Sequence, residues 1–217
     1  MAGKIKKFES FLKKVFKGES ELLKKELSGF ASVLDLGCGF NSLLQYCNKL
    51  FSVGVESFEP YLEKSKEKKI HNEYIKADIR KIDFGKKSFD AIIALEVIEH
   101  LTKEEGYELI RKMEKWARKK IIISTPNGYI WQNGYDNNPL QEHKSGWSVE
   151  ELEKLGFRVK GISGWKKLRG YKGSIRYEPN FFWKIISDLT RLIVYYCPKL
   201  AFQLFCVKEI DEKNKYR

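Results

Sequence analysis

The spacing of apolar residues changes character several times along the chain. In residues 4–27, Ile5, Phe8, Leu12 and Val15, then Leu22, Leu23 and Leu27, recur every three to four positions with a break at Gly18, which predicts two short amphipathic helices within residues 1–30. From Ser32 the period shortens: VLDL is a continuous apolar run, GCGFNS a glycine turn, and residues 43–50 a further helical stretch. The rhythm continues, with strands expected at 51–56, 74–77, 89–95 and 120–124 and helices at 61–69 and 103–117. After a polar loop over 127–146, Ser148 with Glu151 three residues on forms a capping box; its helix stops at Gly156, before a sixth strand at 157–162. Such alternation predicts an α/β fold with a doubly wound, mostly parallel sheet.

Beyond residue 163 the repeat dissolves. A stretch rich in Gly, Lys, Arg and Tyr is followed by an aromatic amphipathic helix over 181–196, which places Phe182, Ile185, Ile186, Leu189, Ile193 and Tyr196 on one face, and then by AFQLFCVKEI, a last strand. The chain therefore divides into N-terminal helices (1–30), a core (31–163), a basic and aromatic insertion (164–200), and a final strand with a charged tail (201–217). The amphipathic face of 181–196 is expected to pack on the core or act as a lid, with seating at a membrane interface as the alternative.

Composition narrows the class. With 217 residues, 42% hydrophobic and 32% charged, the chain is sized for one soluble domain. No uncharged apolar stretch is long enough to span a bilayer, and the basic N-terminus, interrupted by Glu9, lacks the apolar core of a secretion signal, so a cytoplasmic location, peripheral to a membrane at most, is expected. Cys38, Cys47, Cys197 and Cys206 form no CxxC pair and read as buried free thiols. The net charge of +12 points to an anionic partner or to the surface ion-pair networks of a heat-adapted protein.

In an open parallel sheet, ligands bind at the carboxyl ends of strands where the strand order reverses. Gly37 and Gly39 clear side chains from the first such turn, and Glu56 ends the second strand, where an acid can accept hydrogen bonds from ribose hydroxyls. A nicotinamide dehydrogenase uses the same devices. Here, however, Ser42 replaces the third glycine, and Asp35 precedes the turn, where it would repel a pyrophosphate but tolerate a cationic sulfonium.

The strings VLDLGCGFNSLL, VGVE, IKADI, FDAIIALEVIEHL and IIISTPNG, in this order, resemble class I S-adenosylmethionine (SAM) dependent methyltransferases over about residues 30–165, and within them the ubiquinone-biosynthesis O-methyltransferase-like branch. The resemblance implies a Rossmann-like, mostly parallel, seven-stranded sheet with N-terminal helices and a helical insertion before the last strand. It also implies SAM as cofactor, with Asp35, Gly37 and Gly39 around its methionine part, Glu56 on the ribose, Asp78 and Ile79 at the adenine, and Leu95 and Glu96 near the sulfonium. The acceptor expected is a small or lipid-linked molecule methylated at oxygen, with nitrogen as the alternative.

Methyl transfer from a sulfonium mainly needs alignment, but a hydroxyl acceptor must also lose its proton, and His100 and His143 are the candidate bases. The string EVIEH sets Glu96, Glu99 and His100 at a helix start, where packing and capping is the expected role and no metal is expected, a divalent cation held together with His143 being the alternative. Some ubiquinone-pathway enzymes bind magnesium through ExxEH, and small-RNA 3′-terminal 2′-O-methyltransferases add a histidine after the fifth strand, where His143 lies here. A magnesium-dependent RNA 2′-O-methyltransferase is thus the second enzymatic reading; an inactive SAM-binding module is the non-enzymatic one. Trp131 and Trp147 could wall an acceptor cavity or serve ordinary packing. Finally, residues 154–177 carry eight Lys or Arg and no acid among Trp165, Tyr171 and Tyr177, which suits RNA, an anionic membrane surface acting together with residues up to 196, or a solvated face.

Overall fold

The protein is described from a computed structural model, for residues 18–47 and 50–210. The helix expected from Ile5 to Val15 and the charged tail from 211 lie outside the described residues. Seven strands, β1 (Ser32–Leu36), β2 (Phe51–Glu56), β3 (Glu73–Lys76), β4 (Phe89–Leu95), β5 (Ala117–Pro126), β6 (Arg158–Trp165) and β7 (Ala201–Glu209), form one sheet in the order β3-β2-β1-β4-β5-β7-β6. The first five are parallel, and β7 runs antiparallel to both its neighbours.

The central strands read as unbroken apolar runs because both faces are covered. Alternate residues go to opposite layers: Leu34, Leu36, Ile92, Ala94, Ile121 and Ile123 face one cluster, and Val33, Ala91, Ile93 and Ile122 the other. Helix α1 (Glu19–Glu26) supplies Leu22 and Leu23 to the second layer. The first layer receives α3 (Lys103–Trp116), whose Leu109, Ile110, Met113 and Trp116 recur at helical spacing and are all buried. Its start is fixed by a capping box of Thr102 and Glu105. The expected box of Ser148 and Glu151 likewise starts α4 (Val149–Lys154), and Gly156 follows that helix with φ +86°. Helix α2 (Glu59–Glu67) bridges β2 and β3.

Three expectations change. The helix foreseen at 43–50 is a single 3₁₀ turn, Leu43–Tyr46, because the Ser42 hydroxyl caps Leu44 N–H while its own proton goes to Asp35, tying the segment to the turn. The helix foreseen at 181–196 is two, α5 (Asn180–Leu189) and α6 (Arg191–Tyr196), broken at Thr190, whose hydroxyl donates to Ser187 O and accepts from Trp165 N–H. This pair seats through Ser187 and Val194 on the glycines of β6: a Cβ on Gly164 or Gly161 would collide with the Ser187 or Val194 backbone. The face expected to be covered is therefore turned outward. Phe182, Leu189, Ile193 and Tyr196, with Phe181 and Leu192, are exposed. Lastly, Cys38 and Cys206 are buried as expected, but Cys47 is half-buried and Cys197 exposed, since the latter ends α6 away from the sheet.

Candidate functional site

The strand order reverses between β1 and β4, so the turns after these strands, 37–42 and 96–101, face each other across the crevice where ligands of such sheets bind. Gly37 and Gly39 take left-handed conformations, φ +66° and +56°, which the tight first turn requires. Glu56 stitches this turn to the next: Gly39 N–H donates to Oε2 at 3.0 Å and Phe58 N–H to Oε1 at 2.8 Å. Each oxygen keeps a lone pair for a further donor. Burial raises the Glu56 pKa, opposed by these amide bonds.

Asp35 lies beneath the turn, accepting the Ser42 hydroxyl at 2.5 Å, with His71 Nε2 at 3.6 Å. Burial drives both toward neutrality, Asp35 up to about 7 and His71 down to about 4, so their contact is no ion pair at neutral pH. Gly54 in β2 makes this packing possible; a Cβ there would sit 2.6 Å from the His71 ring and 2.9 Å from Cys38 Sγ.

A first chamber is lined by Gly37, Glu56, Asp78, Ile79, Glu96 and Val97, with His100, Leu101 and Gln141 also in its wall. Asp78 pairs with Arg80 at 2.7–3.1 Å and caps the Arg80 N–H, which lowers its pKa, so it organises the turn as well as lining the cavity. Leu95 packs instead toward the α1 layer, and Val97 takes the cavity wall. Alternation alone would put Leu95 and Val97 on one face; β4 ends at Leu95 and the left-handed Glu96, φ +55°, turns the chain, so Val97 joins the opposite layer.

Glu96 has φ +55°, a left-handed backbone rare for a non-glycine residue, held by Ser124, whose backbone O accepts from Glu96 N–H. Its carboxylate accepts from Gln203 Nε2 at 2.9 Å, and the same amide reaches Glu19 of α1 at 3.4 Å. Neither Glu19 nor Gln203 was expected at the site; the available signal was a lone amide inside the apolar last strand.

Glu99, His100 and His143 converge, with one ligand atom of each within 4.8 Å of the others. Neither buried carboxylate oxygen of Glu99 has a hydrogen-bond partner among the described residues, the Thr125 hydroxyl being a near but unbonded polar neighbour, and burial, with the Glu96 charge beside it, raises its pKa well above the usual range. Nδ1 of His100 lies 3.1 Å from Glu142 O and that of His143 2.7 Å from Ile130 O; a carbonyl can only accept, so each Nδ1 carries the proton and each Nε2 is a free base. Oriented imidazoles beside an uncompensated carboxylate are what a divalent cation requires, and this donor set fits one. The cluster stands in a second chamber of about 450 Å³, which shares Glu96, His100 and Gln141 with the first and is bounded by Tyr135, Arg169 and Gln203. Of the two tryptophans, Trp147 is fully buried against Gly106 and Tyr107, whereas Trp131 is 60% exposed beyond the second chamber.

Residues 34–123 match the model of a methyltransferase domain family. An uncharacterised protein of Methanocaldococcus jannaschii is 26% identical over 189 residues, 85% of this chain and 76% of that one. Among solved structures, a SAM-dependent methyltransferase from Archaeoglobus fulgidus is 21% identical with a TM-score of 0.53, over 93% of this chain and 99% of that one. The plantazolicin methyltransferase in complex with S-adenosylhomocysteine (SAH) is 16% identical with a TM-score of 0.53, over 95% and 88%. Those two likenesses speak for the fold. The matched domain over residues 34–123, which carries most of the ordered motifs and the crevice at the switch point, supports a SAM-dependent methyltransferase of class I.

Proposed function

We propose that this methyltransferase acts on a hydroxyl oxygen of a small or lipid-linked acceptor, with a divalent cation, magnesium or a similar ion, beside the reacting oxygen. In this reading SAM occupies the first chamber: the turn of Asp35, Gly37 and Gly39 holds the methionine part, the spare lone pairs of Glu56 take the ribose hydroxyls, Asp78 and Ile79 border the adenine, and Glu96 stands near the sulfonium. Leu95 supports that wall from behind. The cofactor supplies an electrophilic methyl on a good leaving group, so the chain's own task is alignment and exclusion of water. The acceptor enters the second chamber, where Glu99, His100 and His143, with Glu96 at their edge, hold the cation. A bound cation lowers the pKa of a neighbouring hydroxyl. The Glu142 and Ile130 carbonyls hold the Nδ1 of both imidazoles, which leaves each Nε2 available to a ligand.

The observation that carries this reading is Glu99, a buried carboxylate with neither oxygen paired among the described residues, next to two prepared imidazoles. No helix among the described residues is long and apolar enough to cross a membrane; the outward apolar face of α5 and α6 supports a peripheral position that would suit a lipid-linked acceptor. The same Glu99–His100–His143 convergence favours a second reading, RNA 2′-O-methylation, which the positive charge also suits.

Calorimetric titration with SAH, with and without magnesium or manganese, in wild type and Glu56→Ala, tests the assignment. Saturable binding weakened by the substitution, with a separate manganese isotherm lost in His143→Ala, is expected. A protein that binds SAH but no divalent cation would remove the metal from the reading and return His100 and His143 to the role of bases.

A further inference from the structure

The second chamber continues past the histidines. Beyond Ile130, Arg169 and Phe202, which line both, it opens into a third chamber of about 430 Å³. Three cations line this space, Lys166, Arg169 and Arg176, and no carboxylate does so among the described residues. On a convex surface such residues would be ordinary solvated charges. Here they surround a concavity, and one of them is incompletely satisfied: Arg169 Nη1 donates to Gly173 O at 2.9 Å, while its buried Nε has no acceptor among the described residues. A guanidinium with an idle, desolvated donor is matched to a multivalent oxyanion. The lining also includes Trp131 and Tyr171, inclined at 37° with 6.2 Å between ring centroids, against which the C–H face of a sugar or a flat ring can pack.

We propose that the third chamber binds a phosphate ester group carried by the methyl acceptor. The acceptor is then a phosphorylated hydroxyl compound whose phosphate rests on Lys166, Arg169 and Arg176 while its hydroxyl reaches the second chamber. This rests on the second chamber being the acceptor site. A soluble phosphate ester and a phosphorylated lipid headgroup present the same group, and the apolar face of α5 and α6, which follow directly in the chain, suits the latter.

The test titrates inorganic pyrophosphate and glycerol phosphate into SAH-loaded protein at constant ionic strength in chelator. Binding is expected to weaken roughly tenfold or more in Arg169→Gln and in the exposed Arg176→Gln, in line with the loss of a charge-assisted hydrogen bond. SAH affinity should stay unchanged in both, as should phosphate binding in the distant control Lys184→Gln. Arg176→Gln keeps the test valid should the Arg169 variant fold poorly. Absence of phosphate binding in protein that binds SAH, or an equal loss in Lys184→Gln, overturns the proposal. Failure of SAH to bind while pyrophosphate still does sinks the cofactor assignment and, with it, the claim that the phosphate belongs to a methyl acceptor, leaving only an anion site in the third chamber. Sedimentation with phosphatidylcholine vesicles, with and without phosphatidic acid, separates the sources: retention that requires phosphatidic acid and falls in Arg176→Gln assigns the phosphate to a lipid, and unchanged partition with glycerol phosphate binding intact assigns it to a soluble ester. Displacement of pyrophosphate by an unstructured ribo-oligonucleotide at far lower concentration, with a steep salt dependence, would overturn the proposal in favour of a nucleic-acid strand.

Discussion

Glu56 and Glu99 are both carboxylates at the carboxyl edge of one sheet, 7% and 2% exposed, and the protein treats them in opposite ways. Glu56 receives a backbone N–H on each oxygen, so the turn after β1 is closed by the chain itself. Glu99 receives none among the described residues. The first site is a finished cradle that a ligand joins; the second is a set of donors whose cost in the free protein is offset only when something else arrives. A buried unpaired carboxylate left as it stands destabilises by about 1–3 kcal/mol or more, a cost that function rather than folding explains.

The largest effect should come from breaking the second site. Glu99→Leu is expected to reduce turnover on the order of a thousandfold, since a cation beside the reacting oxygen is worth several kcal/mol. The same variant, melted in chelator, should unfold a few degrees higher than wild type, because it removes an unsatisfied buried group. Loss of activity with a lower melting temperature would show that Glu99 is a structural residue with an unseen partner. In the first site the signs reverse. Glu56→Ala abandons two amide donors and the ribose acceptor together, so it should lose both stability and SAH affinity, the latter about a hundredfold.

The two sites also differed in how legible they were. GCGF and the acid ending VGVE announce the first turn because its devices are local: glycine at positive φ and a carboxylate one strand over. EVIEH announced half of the second; His143, reached through a loop, was joined to it by the family resemblance and not by spacing, and Gln203 and Glu19, from the last strand and from α1, were missed. Chain-distant residues of that kind leave no spacing to read. The outward face of α5 and α6 escaped for a different reason. Its apolar periodicity was real, but the helix seats through a serine and a valine on glycines of β6, and close backbone approach replaces side-chain burial there. Periodicity identifies a face and leaves open whether it is the covered one.

A subtler contrast lies beneath the first turn, where Asp35 stays protonated to about pH 7 because it is buried, against an ordinary value of 3.8. Its neighbours are Ser42, His71, Cys38 and Glu56. Between about pH 4 and 7 the folded protein holds this proton and the unfolded chain does not, so the Asp35 contribution to stability falls as pH rises and levels off above 7. Asp35→Asn lacks that component. The melting temperature of the variant minus that of wild type, both without cofactor, should therefore climb from pH 4 to pH 7 and then stay flat, while His71 titrates in both. A constant difference would place the proton elsewhere.

The smallest effect is expected at Gly39, and it sharpens the comparison by showing where the turns touch. Gly37 and Gly39 both have left-handed backbones, so alanine at either pays roughly 1 kcal/mol for conformation alone. A Cβ on Gly39 meets nothing within 4 Å, whereas one on Gly37 would sit 2.8 Å from Cγ2 of Val97, in the turn after β4. Gly39→Ala should thus cost only the conformational part and keep its N–H on Glu56. Gly37→Ala should cost about 1–3 kcal/mol more through the clash, and Val97→Ala should return much of that difference in the double variant. Such coupling, measured by denaturant unfolding, would mean that the finished cradle and the waiting donors are held in register by one van der Waals contact; additivity of the two substitutions would mean that each turn is set independently by its own strand.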